Sequence, residues 1–266
     1  MAVSTCRNAT DTGNPFHTPS FHQAGSTTVF PNMEEDFMVT KAVLFDLGDT
    51  LIKNSPSIFE TFRLILEGEG VHVSVEEVEK AFTATEKEWE NTFNQLLGKI
   101  PSSEFYYMWD SRVIHALGIE DDGDLAQKIH EQWFQTIDLI VFPDVELVLT
   151  DLRNKGIKTG IISNAYQDEI TEICEDVGLH MSLFDIYVGS DTIKKAKPHP
   201  DIFRYVLQNL DITPHEAIFV GDDIEKDYKA SQKVGLTPLL IVRDSIKVHE
   251  PVQCITSLTE VLDYLE

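Results

Sequence analysis

From Pro143 onward the sequence alternates short apolar runs with amphipathic helical stretches, and this alternation restricts the fold more than any other feature. Four strands are predicted, at Lys158–Ile162, Ile186–Gly189, Ala217–Val220 and Pro238–Val242. Helices are predicted before and between them, at Val145–Lys155, Asp168–Val177, Asp201–Leu210 and Lys226–Val234, and a closing helix at Ser257–Glu266. Strands that alternate with helices form a parallel sheet covered by helices on both faces. The earlier apolar run Ala42–Phe45 is predicted to belong to the same sheet.

Between that first strand and the alternating region lies a block with helical patterning alone. Three helices are predicted there, at Ser74–Leu97, Pro101–Leu117 and Asp124–Asp138. The first of them opens with the spacing of a capping box. The block is rich in aromatic residues, which at helical spacing are more typical of packing than of binding.

The chain is therefore predicted to have three parts. Residues 40–53 and 139–266 form an α/β core with a Rossmann-like parallel sheet, and residues 54–138 form an all-helical domain inserted into it. Residues 1–39 are rich in Ser, Thr, Asn, Gly and Pro, show no hydrophobic period and lack the apolar centre of a signal peptide. We interpret them as a disordered N-terminal extension.

Charge and cysteine usage limit the partners and the compartment. The 45 acidic residues outnumber the 21 basic ones, which gives a formal net charge of −24. Such a surface repels phosphate backbones, so nucleic acid is not an expected partner. No apolar run is long enough to span a membrane. Cys6, Cys174 and Cys254 are far apart and form no CxxC pair, which favours unpaired thiols and a cytoplasmic location. The oligomeric state is left open.

Polar residues follow the predicted strands at the points where the strands end. They are Asp46 and Asp49 after the first, Ser163 and Asn164 after the second, Lys197 in the loop after the third, and Asp222, Asp223 and Asp227 after the fourth. In open α/β sheets, ligands bind outside the carboxyl ends of the strands. We therefore expect these residues to converge on one crevice.

These polar residues together say more about function than any one of them does alone. Singly, an aspartate after a strand is often a helix cap, and a lysine is often a solvated surface charge. Several carboxylates in one cleft repel each other and are costly to desolvate unless a cation neutralises them. Oxygen ligands suit Mg²⁺, while a hydroxyl, backbone N–H groups at helix starts and a lysine suit phosphate oxygens.

Four motifs in order now carry a family resemblance over residues 41–242. They are FDLGDTL with Asp46, IISNA with Ser163, KKAKPHPDIF with Lys197, and FVGDDIEKD with Asp222 and Asp227. The chain resembles the haloacid dehalogenase-like (HAD) superfamily, most of whose members are Mg²⁺-dependent phosphatases. The helical insertion resembles the cap of the family's C1 group, which closes over the core site.

The resemblance implies roles for the residues that would handle the phosphoryl group. Asp46 would attack phosphorus and form an aspartyl-phosphate. Ser163 and the backbone N–H of Asn164 would hold the phosphoryl oxygens. Lys197 would neutralise charge on the nucleophile and on the phosphoryl group.

The resemblance also implies a metal site. Asp222 would bind Mg²⁺ together with Asp46 and the backbone carbonyl of Gly48. Asp227 would support the metal or its waters, and Asp223 could share that work. Because a C1 cap excludes large substrates, the expected substrate is a small phosphorylated metabolite. Nothing in the insertion is a recognisable specificity motif.

Gly48 departs from the family pattern. Phosphatases of the family usually carry an aspartate two residues after the nucleophile, which protonates the leaving alcohol and then activates water. This chain has Gly48 there and Asp49 one residue later. Three hypotheses stay open: Asp49 covers the acid–base role, the enzyme works without that group, or the chain is a weakly active binding relative. A turn-capping role for Asp49 is favoured over a catalytic one.

A metal-independent 2-haloacid dehalogenase is the rival enzyme class. Such enzymes also use the first aspartate and lack the second acid, but they need no metal and usually carry a bulky aromatic where Gly48 sits. The acidic cluster after the fourth strand favours phosphate chemistry, because it is poorly tolerated without a cation.

Three residues of the insertion, Arg63, Arg112 and His115, are candidate substrate contacts or simple surface residues.

Overall fold

The computed structural model describes residues 39–243 and 251–265, so the N-terminal extension predicted as disordered falls, up to residue 38, outside the described part. These ranges contain eight strands: β1 Ala42–Phe45, β2 Ile52–Ser55, β3 Asp138–Val141, β4 Lys158–Ile162, β5 Ile186–Val188, β6 Ala217–Gly221, β7 Thr237–Ile241 and β8 Cys254–Ile255. Six of them form one parallel sheet in the order β5-β4-β1-β6-β7-β8. The predicted α/β class is therefore confirmed.

Eight α-helices accompany the strands in the described part of the chain. They are α1 Ile58–Gly68, α2 Val75–Leu96, α3 Ser102–Ala116, α4 Asp124–Thr136, α5 Val145–Asn154, α6 Gln167–Asp176, α7 Pro200–Leu210 and α8 Ala230–Val234. Apolar residues of α5 and α6 pack on one face of the sheet, and those of α7 and α8 pack on the other. Within the described ranges, no helix combines the length and the apolarity needed to cross a bilayer.

Strand β1 holds the centre of the sheet because every one of its residues is apolar and buried. Val43 and Phe45 join the core on one face, while Ala42 and Leu44 join the core on the other. A strand apolar on both faces is the pattern of a buried parallel sheet. Phe45 pairs with a residue of β4 on one side and of β6 on the other, so the carboxyl ends of three strands lie side by side.

Strands β2 and β3 form a separate antiparallel pair that the sequence did not predict. The helical block leaves and re-enters the core through this pair, and the helix predicted to reach Asp138 ends at Thr136. Each strand has only four residues, and part of each is exposed. So short a run gives little periodicity to detect.

The inserted block consists of α1 to α4, which pack around their own apolar cluster. The predicted capping box is present at the start of α2, where the Ser74 side chain accepts from the Glu77 N–H and the Glu77 carboxylate accepts from the Ser74 N–H. Aromatic rings pack edge-on in this block, for example Phe62 on Phe82 and Phe82 on Trp109. The expectation of aromatic packing is met for these rings.

Two predicted helices differ in kind from the expected α-helices. The chain from Ile224 to Lys229 forms a π-helical turn before α8 begins, and the C-terminal segment Leu258–Tyr264 is a 3₁₀-helix. π-Helical turns often occur at functional sites, and this one carries Asp227. Apolar spacing cannot separate these forms from an α-helix, because all three place a side chain on one face every three to five residues.

The expectation of unpaired cysteines is wrong at one position. Cys174 is a buried free thiol in the core under α6, but Cys254 is disulfide-bonded. The expectation rested on separation along the chain, which does not measure distance in space. The cytoplasmic location derived from it stays a prediction.

One carboxyl group inside the helical block is buried without a partner. Asp110 of α3 is 7% exposed, no described residue forms a hydrogen bond with it, and burial raises its pKa from 3.8 to about 8. The native state therefore binds more protons than the unfolded chain between these two pKa values, so stability is lost as the pH rises through that window.

We expect Asp110→Asn to remove this loss. Relative to the variant, the wild type should lose up to about 1.4 kcal/mol of unfolding free energy per pH unit within the window. Urea denaturation of both proteins at several pH values between the two pKa values measures this difference. Parallel curves would contradict the assignment.

Candidate active site

The polar residues predicted to converge do so at the carboxyl ends of the three central strands. Asp46 follows β1, Ser163 follows β4 and Asp222 follows β6. The Asp46 N–H donates to the Val220 carbonyl of β6 at 2.8 Å, which continues the ladder one residue past the strand. These three side chains are therefore placed by the most rigid part of the sheet.

Lys197 joins two of the carboxylates from the opposite side of the crevice. Its Nζ lies 2.5 Å from Asp46 Oδ1 and 2.6 Å from Asp227 Oδ1, and the lysine is 3% exposed. Burial disfavours the charged lysine, but Asp227 and Asp46 outweigh burial and raise its pKa. The lysine is therefore a fixed positive charge beside the Asp46 carboxylate.

The backbone of Lys197 is clamped by the side chain of Asn164. Asn164 Oδ1 accepts from the Lys197 N–H at 2.7 Å, and Asn164 Nδ2 donates to the Lys197 carbonyl at 3.0 Å. This two-point contact ties the lysine loop to the end of β4. The sequence pointed to the backbone of Asn164 and gave no sign of this side-chain role.

Ser163 is oriented by its own turn. It is 6% exposed, and its Oγ accepts from the Ala165 N–H at 3.2 Å. A hydroxyl that accepts in this way keeps its proton available for another acceptor. The group can therefore donate a hydrogen bond to an oxygen placed in the crevice.

Three carboxylates form a cluster whose oxygens suit a divalent cation. One oxygen each of Asp46, Asp222 and Asp227 lies within 4.8 Å of the others. The pKa of Asp222 is raised to about 8, mainly by desolvation and then by repulsion from the charges of Asp46 and Asp227. Part of this residue is nevertheless open to solvent. Desolvation also raises the pKa of Asp227 to about 6, with Lys197 opposing it. A divalent cation would relieve this repulsion, and a cluster of carboxylate oxygens suits Mg²⁺.

Gly221 makes room for Asp227, and sequence reasoning did not identify it. A Cβ at Gly221 would collide with the Asp227 carboxylate. The Asp223 N–H donates to Asp227 Oδ2 at 3.1 Å, which fixes the second oxygen. Asp223 Oδ1 itself caps the π-helical turn by accepting from the N–H groups of Glu225 and Lys226. The glycine ending β6, directly before two aspartates, was the available signal.

Gly48 lies at the exposed mouth of the crevice with no need to be glycine. Its φ lies outside the left-handed region, and a Cβ there would meet no atom within 4 Å. The next residue, Asp49, has a φ of 52° and its N–H donates to the Ile52 carbonyl at 2.7 Å. Asp49 also contributes to the raised pKa of Asp222, so its charge acts on the cluster.

The three candidate contacts from the helical block lie elsewhere. Arg63 is ion-paired to Glu60 and Glu67 on its own helix. Arg112 stacks over Trp89 at 5.9 Å and lines a small separate cleft together with His115. The structure gives these three residues local packing roles.

The inserted block contacts the core through the loop between α2 and α3. Tyr166, three residues after Ser163, donates through its hydroxyl to the Ile100 carbonyl at 3.0 Å and accepts from the Gly98 N–H at 3.2 Å. Gly98 has a φ of 72°, and a Cβ there would collide with the Ser190 carbonyl. The block therefore rests on the loops that follow β4 and β5.

The sheet order, the aspartate after β1 and the buried lysine define an α/β protein with a catalytic crevice at its strand ends. The haloacid dehalogenase-like hydrolase family profile matches residues 40–235, so the chain belongs to this family of hydrolases. The family resemblance drawn from the four motifs is confirmed.

Two relatives and one solved structure illustrate the relationship. Mouse haloacid dehalogenase-like hydrolase domain-containing protein 3 is 28% identical over 242 residues, which cover 85% of this chain and 95% of the mouse protein. The glyceraldehyde 3-phosphate phosphatase of Methanocaldococcus jannaschii is 26% identical over 235 residues, covering 85% and 97%. The HAD-hydrolase YfnB from Bacillus subtilis, solved bound to magnesium, has a TM-score of 0.66 at 21% identity, covering 85% and 99%, which concerns the fold alone.

Proposed function

We propose that this protein is a Mg²⁺-dependent phosphatase that hydrolyses a small phosphorylated metabolite through an aspartyl-phosphate on Asp46. The observation that carries the proposal is the Lys197 ammonium held between Asp46 and Asp227 beside Asp222. A buried lysine next to a nucleophilic carboxylate suits a reaction in which negative charge gathers on phosphoryl oxygens. Relatives named as phosphatases support an enzyme acting on phosphate esters.

The chain's own residues divide the work of phosphoryl transfer. Asp46 attacks phosphorus with one carboxylate oxygen while the bond from phosphorus to the ester oxygen breaks. With glycine at position 48, the leaving oxygen takes its proton from solvent. The Ser163 hydroxyl and the Asn164 N–H hold phosphoryl oxygens, while Lys197 balances their charge. A water then attacks phosphorus in the aspartyl-phosphate, which frees inorganic phosphate and restores Asp46.

Asp46, Asp222 and the Gly48 carbonyl are the residues that would hold the metal, with Asp227 supporting the site. When bound, Mg²⁺ supplies positive charge that allows the anionic phosphate to approach the anionic nucleophile. The helical block at residues 54–138 serves as a C1-type cap over the crevice, with residues 40–53 and 139–266 as the core.

A dehalogenase would use the same nucleophile, Asp46, but would not need the other two carboxylates of the cluster. A 2-haloacid dehalogenase needs no cation, and Asp222 and Asp227 beside Asp46 would then stay mutually repelled. The third hypothesis, a weakly active binding relative, draws on Gly48 alone. It leaves the buried Lys197 without a purpose.

The test of the proposed function is phosphate release from a panel of esters. Purified protein is incubated with p-nitrophenyl phosphate and several alkyl phosphomonoesters, with Mg²⁺ or with EDTA. Metal-dependent release supports the proposal. Release of halide from 2-haloacids in EDTA, with no phosphate release, would favour the dehalogenase instead.

Adding Mg²⁺ to the metal-free protein should raise its stability, because the cation relieves repulsion among the three carboxylates. At a concentration about 100 times the dissociation constant the gain is ~2.7 kcal/mol. Thermal unfolding with and without Mg²⁺ measures it. Asp222→Asn should lose most of the gain, and an equal gain in that variant would contradict the assigned metal ligands.

Restoring an aspartate at position 48 should increase turnover of esters with poor leaving groups. General acid–base help is worth roughly 10²–10⁴-fold in well-placed cases, and we expect Gly48→Asp to recover about 10-fold or more on alkyl phosphates. With p-nitrophenyl phosphate, the rate of the first step should change little, because that leaving group needs no proton. The matched control is Gly48→Asn, and equal rates in the two variants would remove acid–base catalysis as the explanation.

A further inference from the structure

A cavity of about 290 Å³ lies between the helical cap and α6 of the core. Its volume is close to the lower end of ligand pockets, ~300–1,000 Å³. Five aromatic side chains line it: Phe82, Tyr106, Trp109, Trp133 and Phe134. Phe134 is 63% exposed, which is unusual for so large an apolar side chain and leaves one side of the wall open.

Asp110 gives this cavity a polar group without a partner. Its carboxyl lines the cavity, is more than nine-tenths buried, and forms no hydrogen bond with any described residue. Burying a carboxyl in this way lowers stability, since nothing replaces its lost hydration. A cationic ligand would compensate the group, either through an N–H hydrogen bond or through its charge alone.

The charge of the lining selects the class of ligand. No lysine or arginine is among the residues described as lining the cavity, whereas Asp110 and Glu169 both are. His130 also lines the cavity. An ammonium group would favour the ionised form of Asp110, whose pKa burial raises, and would meet several aromatic faces. An anionic group would be disfavoured beside two carboxyl groups.

The cavity adjoins the crevice through α6 and its preceding loop. Ala165, whose N–H donates to Ser163 Oγ, lines it, and so does Glu169 in the first turn of α6. Glu169 is already engaged, because it accepts from the Tyr106 hydroxyl at 3.1 Å and from the Tyr166 N–H at 3.0 Å. Asp110 is therefore the carboxyl left for a ligand.

We propose, building on the phosphatase function above, that the substrate is a phosphomonoester whose alcohol carries an ammonium group, and that Asp110 and the aromatic walls of this cavity bind that group. The phosphate occupies the crevice at Asp46, and the ammonium end extends past Ala165 into the cavity. Asp110 is a specificity residue that touches the leaving alcohol and takes no part in the transfer of the phosphoryl group.

Turnover of matched ester pairs tests the proposal. Phosphocholine is compared with 3,3-dimethylbutyl phosphate, its neutral isostere, and phosphoethanolamine with propyl phosphate. We expect kcat/KM to be at least ~10-fold higher for the charged member of each pair, a modest value for cation–π and carboxylate contacts together. Phosphoglycolate, which places a carboxylate in the cavity, should be a poorer substrate than all four.

Asp110→Asn should reduce the ratio within each pair to near one, in a protein that circular dichroism shows to be folded. Asp176→Asn is the matched control, because it makes the same carboxyl-to-amide change at an exposed position of α6 outside the cavity. A ratio unchanged in Asp110→Asn, or a preference for the neutral or carboxylate esters in the wild type, would overturn the proposal.

Ligand binding without phosphate separates this proposal from the proposed function. Choline and 3,3-dimethylbutanol are titrated while tryptophan fluorescence is followed, since Trp109 and Trp133 line the cavity. Saturable quenching by choline alone, lost in Asp110→Asn, supports the ammonium site even if no ester is hydrolysed. Equal quenching by both alcohols, or by neither, would refute the site while leaving any measured phosphatase activity intact.

Discussion

Asp46→Asn should abolish phosphate release from every ester while leaving the protein folded. The amide is nearly the same size as the carboxylate but is a far weaker nucleophile, so no aspartyl-phosphate forms. The variant loses the contact with Lys197, but the lysine keeps Asp227 as a partner and one of the charges that repel Asp222 is removed, so the fold should be retained. Loss of a nucleophile typically costs many orders of magnitude, and we expect a decrease of at least ~10³-fold in kcat.

Steady-state phosphate release measures the effect, and circular dichroism and thermal unfolding check the fold. Asp49→Asn is the companion variant, since Asp49 is one of the two acids in the same motif. If Asp49 mainly caps the turn, its variant should keep activity within about 10-fold of the wild type, below the range of acid–base catalysis. Substantial activity in Asp46→Asn would contradict the assignment of the nucleophile.

Lys197→Met should both inactivate and destabilise the protein. The methionine fills similar space but leaves Asp46 and Asp227 without the cation that lies between them. Removing one partner of a buried ion pair typically costs about 3–5 kcal/mol. Phosphate release should fall as well, because the phosphoryl charge is no longer balanced.

Chemical denaturation gives the stability difference, and it should shrink at acid pH, where protonation of Asp227 removes the uncompensated charge. Lys195→Met is the control in the same loop, because Lys195 forms no ion pair with a described residue. If Lys197→Met were no less stable than Lys195→Met, the lysine would not be the internal counter-ion of the cluster.

The fold of the core could be predicted because its signals are local. Each residue of Ala42–Phe45 is apolar, as a strand buried on both faces requires. From Pro143 onward, strands and helices alternate at short intervals along the chain. The β2–β3 pair could not be found in the same way. Its pairing joins segments more than eighty residues apart, and four partly exposed residues per strand carry no clear pattern.

The candidate site was predictable as a set of residues but not as a set of contacts. The carboxyl ends of parallel strands meet at one edge, so the sequence indicated that Asp46, Ser163 and Asp222 converge. It did not indicate that the Asn164 side chain clamps the Lys197 backbone. Such a contact depends on how two loops approach each other in space, which residue type and spacing leave undetermined.

The helical block shows most clearly what the sequence could not predict. Aromatic residues at helical spacing predict packing, and Phe62 and Phe82 do pack in this way. Phe82 also borders a cavity, together with Trp133 and Phe134, and Asp110 lines the same cavity. Whether an aromatic ring meets only its neighbours or also borders a cavity depends on how the helical block rests on the core.

The most direct test of the central claim is the mass of the protein after an acid quench during turnover. Because Gly48 offers no group to activate water, the aspartyl-phosphate should break down slowly and accumulate. We predict one added phosphoryl group on the peptide that contains Asp46, present with Mg²⁺ and absent with EDTA or in Asp46→Asn. A folded protein that neither releases phosphate from any ester in Mg²⁺ nor carries this adduct would contradict the proposed phosphatase.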